Sequence, residues 1–218
     1  MVRNSTCQTL VRAYTVIYSM KPDHYATLRA YFEKQATFSE AEFALLRQLF
    51  RPRTLRRHEV LNRAGEVARH GAFVIEGCLR SFVVDAQGKE HLLQFAPERW
   101  WIADQHSLTH HTPSLFNIDA LEDSEILTFD AQFYRQSGLP AAFEAEMGVV
   151  LTNRIHAMEK RLTLLLSAPA KVRYLDFIET YPTLAQRLPL RLIASYLGIT
   201  PESLSRVRHE LAHGKTGA

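Results

Sequence analysis

Residues 190–211 read LRLIASYLGITPESLSRVRHEL, and this stretch decides the organisation of the C-terminal part of the chain. Apolar side chains recur at helical spacing on both sides of Gly198, where a positive φ angle costs little and the chain can turn sharply. Thr200 suits the N-cap of a second helix, and Pro201 suits its first position. The pattern therefore predicts a helix-turn-helix. Its buried face is expected to consist of Leu190, Ile193, Ala194, Leu197, Leu204, Val207 and Leu211.

Polar side chains on the outward face of the second helix are the ones that could contact DNA. An arginine such as Arg206 can donate two hydrogen bonds to guanine, and Glu202 can accept one from a cytosine amine. Arg191 and Lys215 are expected to contact phosphates. From residue 171 onward the sequence has seven cations and four anions. A phosphate-binding surface requires such a local excess of positive charge. The predicted DNA-contact set is Arg191, Thr200, Glu202, Ser203, Ser205, Arg206, His209 and Lys215. The alternative is an ordinary helical hairpin in a bundle.

The middle of the chain has the texture of an antiparallel β structure. Residues 73–80 read FVIEGCLR, and residues 85–88 (DAQG) suit a hairpin connection between strands at 79–84 and 90–95. Further strands are expected at 118–121 and 125–129, after two short helices within 23–50. The predicted fold is α+β, with an N-terminal, cupin-like antiparallel β-roll flanked by helices.

A long helix is expected to follow Pro140. Its apolar residues step by four and three, which is the spacing of a coiled-coil seam between two copies of the chain. The charged residues Arg154, Glu159, Lys160 and Arg161 are expected to flank this stripe. The alternative is one amphipathic helix packed on its own domain. The predicted dimer seam is Met147, Leu151, Ile155, Met158, Leu162 and Leu165.

Four segments follow from these patterns. Ser167-Ala168-Pro169-Ala170 breaks the long helix and marks the clearest boundary. The expected division is an extension at 1–22, a sensor roll at 23–138, a dimerisation helix at 139–166 and a DNA-binding domain at 167–218.

Composition narrows the class of protein. The 218 residues carry a net charge of +3, with a pI near 8.9, which suits nucleic-acid binding without requiring it. The two cysteines, Cys7 and Cys78, form no metal-binding motif and suit the reducing cytoplasm. No stretch is long and apolar enough to span a membrane, so no membrane partner is expected. No catalytic motif stands out, so an enzyme is not expected.

With both halves described, the chain resembles the Crp–Fnr (catabolite activator) family of transcription regulators over about residues 50–215. Residues 73–80 and the Gly88-Lys89-Glu90 hairpin resemble the hairpins of that family, and residues 197–211 resemble its recognition helix. The resemblance implies a homodimer on double-stranded DNA, an effector bound in the roll, and RNA polymerase as a further candidate partner. The base-reading glutamate and arginine of the family fall on Glu202 and Arg206. Pro201 stands where some members carry a further basic reader, which predicts a different operator.

Departures from the family pattern exclude its best-known effectors. The Gly-Glu pair of the phosphate-binding cassette is replaced by Ala103-Asp104, and no arginine stands where Ser114 and Leu115 lie. A buried cyclic phosphate needs such a cation, so cyclic AMP is not expected to bind. Two cysteines cannot hold an iron–sulfur cluster. The candidate effector pocket is Arg80, Trp100, Trp101, Asp104 and Ser114.

Only residues 213–218 follow the second helix, so the β-hairpin wing of the family is expected to be truncated or absent. His106, His110 and His111 lie near Asp104 and could bind a metal, but the ligand set is incomplete, so a polar surface loop without metal or cofactor is favoured. The competing function is a small-molecule-binding module whose C-terminal helices mediate assembly.

Overall fold

The computed structural model describes residues 23–213. Its helices are α1 (His24–Phe32), α2 (Glu40–Arg47), α3 (Gln105–His110), α4 (Gln132–Arg135), α5 (Ala141–Ser167), α6 (Ala170–Thr180), α7 (Leu184–Arg187), α8 (Leu190–Leu197) and α9 (Pro201–His213). Its strands are β1 (Arg51–Leu55), β2 (Val60–Asn62), β3 (Gly71–Glu76), β4 (Leu79–Val84), β5 (Glu90–Ala96), β6 (Trp101–Ile102), β7 (Asn117–Ala120) and β8 (Ser124–Phe129).

The strands form two four-stranded sheets that face each other as a roll. One sheet has the order β1-β8-β3-β6 and the other has the order β2-β7-β4-β5, with antiparallel pairing at every described neighbour. Side chains alternate between the two faces of a strand. Ala72, Val74 and Ile126 therefore point between the sheets, where they belong to a buried apolar cluster. The predicted antiparallel β-roll is confirmed.

The outer face of the first sheet is covered by helices. Phe73, Leu127 and Phe129 of this face pack against α1, α2 and the first turns of α5. Ser39 and Glu42 form a reciprocal capping box that fixes the start of α2, because each side chain bonds the backbone N–H of the other.

The C-terminal helices pack on the second sheet. Phe82 and Leu92 of the β4–β5 hairpin share one buried cluster with Phe177 and Tyr196 of α6 and α8. The roll and the C-terminal helices therefore have a common apolar core.

A tight turn joins α8 to α9. Gly198 ends α8 with a φ of 64°, and a Cβ atom there would lie 3.3 Å from the side chain of Leu165. Thr200 Oγ1 then accepts from the Ser203 N–H at 3.2 Å and caps α9. The predicted helices and their caps agree with the structure at this point.

Several short elements were not predicted from the sequence: β1, β2, β6, α3, α4 and α7. Two expectations fall outside the described residues, namely the extension at 1–22 and the wing region at 214–218. No helix within residues 23–213 is long and apolar enough to cross a membrane.

Candidate functional site

The outward face of α9 carries an exposed set of polar side chains. Glu202, Ser205, Arg206 and His209 are exposed, whereas Leu204 and Val207 are buried against α8 and α6. Arg206 reaches back to Ser203 Oγ at 3.3 Å. A hydrogen bond from the α9 backbone to the Glu202 carboxylate lowers the pKa of Glu202, and a weaker contribution comes from the Thr200 side chain. This carboxylate therefore stays ionised. The helix thus presents both a cation and an anion to solvent.

Two cations of the C-terminal region are already engaged within the chain. Arg187 donates to both carboxylate oxygens of Glu98 at 3.0 and 2.9 Å and also pairs with Glu122. Arg173 donates to the Leu197 carbonyl at 2.7 Å, close to the α8–α9 turn. The surface of the C-terminal region therefore carries a smaller excess of positive charge than the count of cations and anions in its sequence indicates. The exposed cations that remain are Lys171, Arg191, Arg206 and Arg208. The predicted phosphate contact at Lys215 lies outside the described residues.

An exposed apolar stripe runs along α5. Four of its side chains leave 44 to 61% of their surface exposed. These are Leu151, Ile155, Met158 and Leu162. The two ends of the predicted seam behave differently, since Met147 packs on the helical cluster and Leu165 lies against Gly198. Leu166, at 81% exposure, extends the stripe instead.

Two arginines that were expected to flank the stripe turn inward, which corrects the sequence analysis. Arg154 donates to the Ala103 carbonyl at 3.1 Å. Arg161 donates to the Leu92, Leu93 and Tyr196 carbonyls at 2.8, 2.7 and 2.9 Å. Burial lowers the pKa of both guanidinium groups. The two residues lie seven apart, which is about two turns, so one face of α5 is tied to the roll.

A cavity of about 320 Å³ lies between this face of α5 and the outer face of the first sheet. Its lining includes five aromatic side chains, those of Trp101, Phe129, Phe133, Tyr134 and Phe143. Polar groups on the wall include Arg154 and Tyr134. Burial raises the pKa of the Tyr134 hydroxyl to about 12, so this group stays protonated. The cavity suits a ligand with a large apolar body.

The five residues of the predicted effector pocket do not come together. Only Trp101 lines the cavity, and Trp100 packs instead on Tyr181 with ring centroids 5.0 Å apart. Arg80 is buried in a two-bond pair with Asp119, at 2.7 and 3.0 Å, and also pairs with Glu90. Its charge is therefore already balanced within the chain.

Asp104 and Ser114 form a closed unit inside the loop that matches the cassette. The Asp104 carboxylate accepts from the Ser107 N–H at 3.0 Å, from Ser114 Oγ at 2.8 Å and from the Leu115 N–H at 3.3 Å. It caps α3, so the N-terminus of that helix is already paired with an anion of the same chain.

The histidines near Asp104 form no ligand set. His106 and His110 stack with ring centroids 4.4 Å apart, while His111 contacts Arg135. No group of three or more potential metal ligands exists within residues 23–213. The sequence predicted a polar surface loop here, but residues 105–110 form the short helix α3, on which His106 and His110 are exposed.

Sequence reasoning missed the residues that build the cavity. Phe133, Phe143 and Arg154 lie far apart in sequence, and none belongs to a recognisable motif. The only available signal was the position of Arg154 on α5. It lies four residues after Val150 and three after Leu151, so these side chains share one face of the helix. All three line the cavity.

Comparison with known proteins agrees with this architecture. Residues 52–137 match the family model of the cyclic nucleotide-binding domain. FixK2 from Bradyrhizobium japonicum has 18% identity and a TM-score of 0.64, with 78% of this chain and 89% of that chain covered. The regulator CLP of Xanthomonas campestris, described as responsive to c-di-GMP, has 14% identity and a TM-score of 0.63, with 81% and 93% covered.

A third solved structure extends the same likeness. A CooA mutant from Carboxydothermus hydrogenoformans has 19% identity and a TM-score of 0.62, with 82% of this chain and 81% of that chain covered. No curated protein sequence matches the chain. The roll therefore matches the model of a cyclic nucleotide-binding domain, and about four fifths of the chain has the fold of these three proteins. The resemblance drawn from the sequence is confirmed to that extent.

Proposed function

We propose that this protein is a sequence-specific, DNA-binding transcription regulator of the Crp–Fnr type, in which α8 and α9 form a helix-turn-helix. The observation that carries the proposal is the face of α9. It presents Glu202, Ser205 and Arg206 to solvent, while Leu204 and Val207 anchor the helix below. A helix held this way can enter the major groove with its first turns against base edges.

The remaining residues of the face have distinct roles in this proposal. Arg206 reads a guanine, and Glu202 accepts from a cytosine amine. Ser203, Ser205 and His209 are further candidate contacts, and Thr200 holds the start of the helix. Arg191 and Lys215 contact phosphates, which add affinity without adding sequence preference.

A homodimer completes the proposal. The apolar stripe of α5 would be covered by the α5 stripe of a second copy, so that two recognition helices lie about 34 Å apart, on one side of the duplex. The cytoplasmic location expected from the sequence follows from this function. RNA polymerase stays a predicted partner.

The test is a binding-site selection carried out in parallel on the wild type, Arg206→Ala and Arg191→Ala. Arg206→Ala should weaken binding to the selected site by about 1–3 kcal/mol and relax preference at one base pair in each half-site. Arg191→Ala should weaken all sequences alike and reduce the slope of log K against log salt by about one. The two variants remove the same charge, so only the loss of base preference separates them.

Two results would count against the proposal. If the wild type selects no sequence and shows no salt-dependent gel shift, the protein is an assembly module of the kind that the sequence left open. If wild type and Arg206→Ala select the same consensus with equal stringency, Arg206 is not a base reader.

A further inference from the structure

The cavity beneath α5 differs from the interior of the roll in both position and chemistry. The space between the two sheets is filled by an apolar cluster that includes Val74, Ile102 and Ile118. The cavity lies on the outer face of the first sheet, under the side chains of α5. A ligand bound there would contact the long helix directly, without entering the roll.

Arg154 is the distinctive group of this cavity. It is partly buried and its one hydrogen bond within the described chain is to a backbone carbonyl, that of Ala103. No carboxylate of residues 23–213 forms an ion pair with it. A guanidinium has five N–H donors in a planar fork that matches a carboxylate. Most of these donors are therefore available to a ligand.

The acidic groups nearest Arg154 do not supply that ligand. Asp104 acts on Arg154 through space, but its carboxylate already accepts from Ser107, Ser114 and Leu115. Glu144 also lines the cavity, but it is exposed and lies ten residues away along α5, about 15 Å at the helical rise. Solvent ions screen an exposed charge over about 10 Å. Arg154 thus gives its part of the cavity wall a positive charge, and aromatic side chains form another part of that wall.

We propose that this cavity binds a small amphipathic monoanion, namely an aromatic carboxylate whose ring packs among Trp101, Phe129 and Phe133 while its carboxylate pairs with Arg154. The ligand class follows from charge complementarity and from the size and aromatic character of the cavity. The role of this ligand as the effector of the regulator rests on the proposed function. The existence of the binding site does not depend on DNA binding.

The cavity is placed to change the position of α5. Leu151 belongs both to the cavity wall and to the exposed stripe, so a ligand would press on the side chain that faces a second copy. Arg161, two turns further along, holds the C-terminal helices. Occupation of the cavity would therefore act on the proposed dimer contact and on the recognition helices through one rigid element.

The test uses 2-naphthoate and its neutral counterpart 2-naphthamide as probes, measured by titration calorimetry on the full chain. The wild type should bind 2-naphthoate at least about tenfold more tightly than 2-naphthamide, because only the anion pairs with Arg154. Arg154→Met should bind the two probes equally. Arg57→Met, which removes an exposed arginine elsewhere, should behave as the wild type.

A second variant blocks the cavity without touching its charge. Gly148 lines the cavity and a Cβ atom there meets nothing within 4 Å, so we expect the side chain of Gly148→Leu to begin in open space and to extend into the cavity. Leucine also favours the helix more than glycine does, so this variant should fold even if Arg154→Met does not. It should lose binding of both probes, while Gly148→Ala retains it.

The proposal is overturned if the wild type does not bind 2-naphthoate, or if Arg154→Met or Gly148→Leu binds it with the wild-type constant. A gel shift of the wild type, run both with and without 2-naphthoate, separates the two proposals. DNA binding without naphthoate binding overturns the cavity ligand alone, and naphthoate binding without DNA binding overturns the regulator alone.

Discussion

The Asp104 carboxylate lies against Ser114 and Leu115, where the resemblance places the cation that an effector phosphate would need and where no arginine stands. It caps α3 and holds Ser114 and the Leu115 N–H, while Arg80 is committed to Asp119 on another strand. A phosphate brought into this loop would meet a like charge and lose its water without compensation.

We therefore expect no binding of cyclic AMP at micromolar concentration. Calorimetry on the wild type checks this, with 2-naphthoate as the positive control for an active preparation. A clear micromolar isotherm would mean that the phosphate finds a cation outside this loop, and the argument from Asp104 would be wrong.

Local residue roles were predictable from the sequence, and long-range roles were not. Gly198 and Thr200 act on backbone groups within four residues, so their identity and spacing were sufficient evidence. Arg154 and Arg161 had the sequence features of surface charges on a coiled coil. Their inward orientation depends on where the carbonyls of β5 and Ala103 lie, which no local pattern records.

At the scale of the element, α5 is the helix whose exposed face needs explanation. Four apolar side chains on one stripe are left in solvent within a single chain, and a second copy would remove them from water. Leu151→Asp combined with Met158→Asp should give monomers and weak DNA binding. Both side chains are exposed, at 44% and 61%, so the fold of each chain should survive.

Sedimentation velocity measures the outcome. The control is Val84→Asp with Leu115→Asp, which adds the same charge at two apolar residues that are exposed elsewhere, at 50% and 82%. An unchanged dimer in the α5 double variant would remove the stripe from the proposed interface.

The strands differ in how well the sequence predicts them. The β4–β5 hairpin was predicted because residues 79–84 mix β-branched and aromatic side chains and are followed by a glycine-containing turn. β1 was missed because residues 51–55 read RPRTL and only Leu55 is buried. It lies at the edge of its sheet, where proline and charged residues are tolerated.

At the scale of the whole molecule, the sensor roll and the C-terminal helices form one packed body. Arg161 links them through β5 and Tyr196, and its guanidinium also lies 4.1 Å from the Tyr196 ring centroid. Trp100 sits at this junction against Tyr181, whereas Trp101 lies on the opposite side of the roll. The predicted boundary at residue 167 marks a real break between helices, but the core continues across it.

This junction gives a spectroscopic prediction. In a Trp101→Phe background, urea unfolding followed by Trp100 fluorescence should coincide with unfolding followed by circular dichroism. Adding Arg161→Met should leave three carbonyls without their charged donor and lower the stability of the junction by at least about 2 kcal/mol. The Trp100 transition should then precede the circular dichroism transition. Coincident transitions in this variant would show that Arg161 does not hold the two parts together.

The covering of β5 by α8 has a consequence for solubility. β5 is the edge strand of its sheet, and the Ser195 hydroxyl and Arg161 together occupy its outer backbone groups at residues 90, 92 and 93. A movement that lifts α8 away would leave a bare strand edge, which is a template for pairing with other chains. A state with α8 lifted away would therefore be prone to aggregation, and the contacts of Ser195 and Arg161 protect the edge of β5 from such pairing.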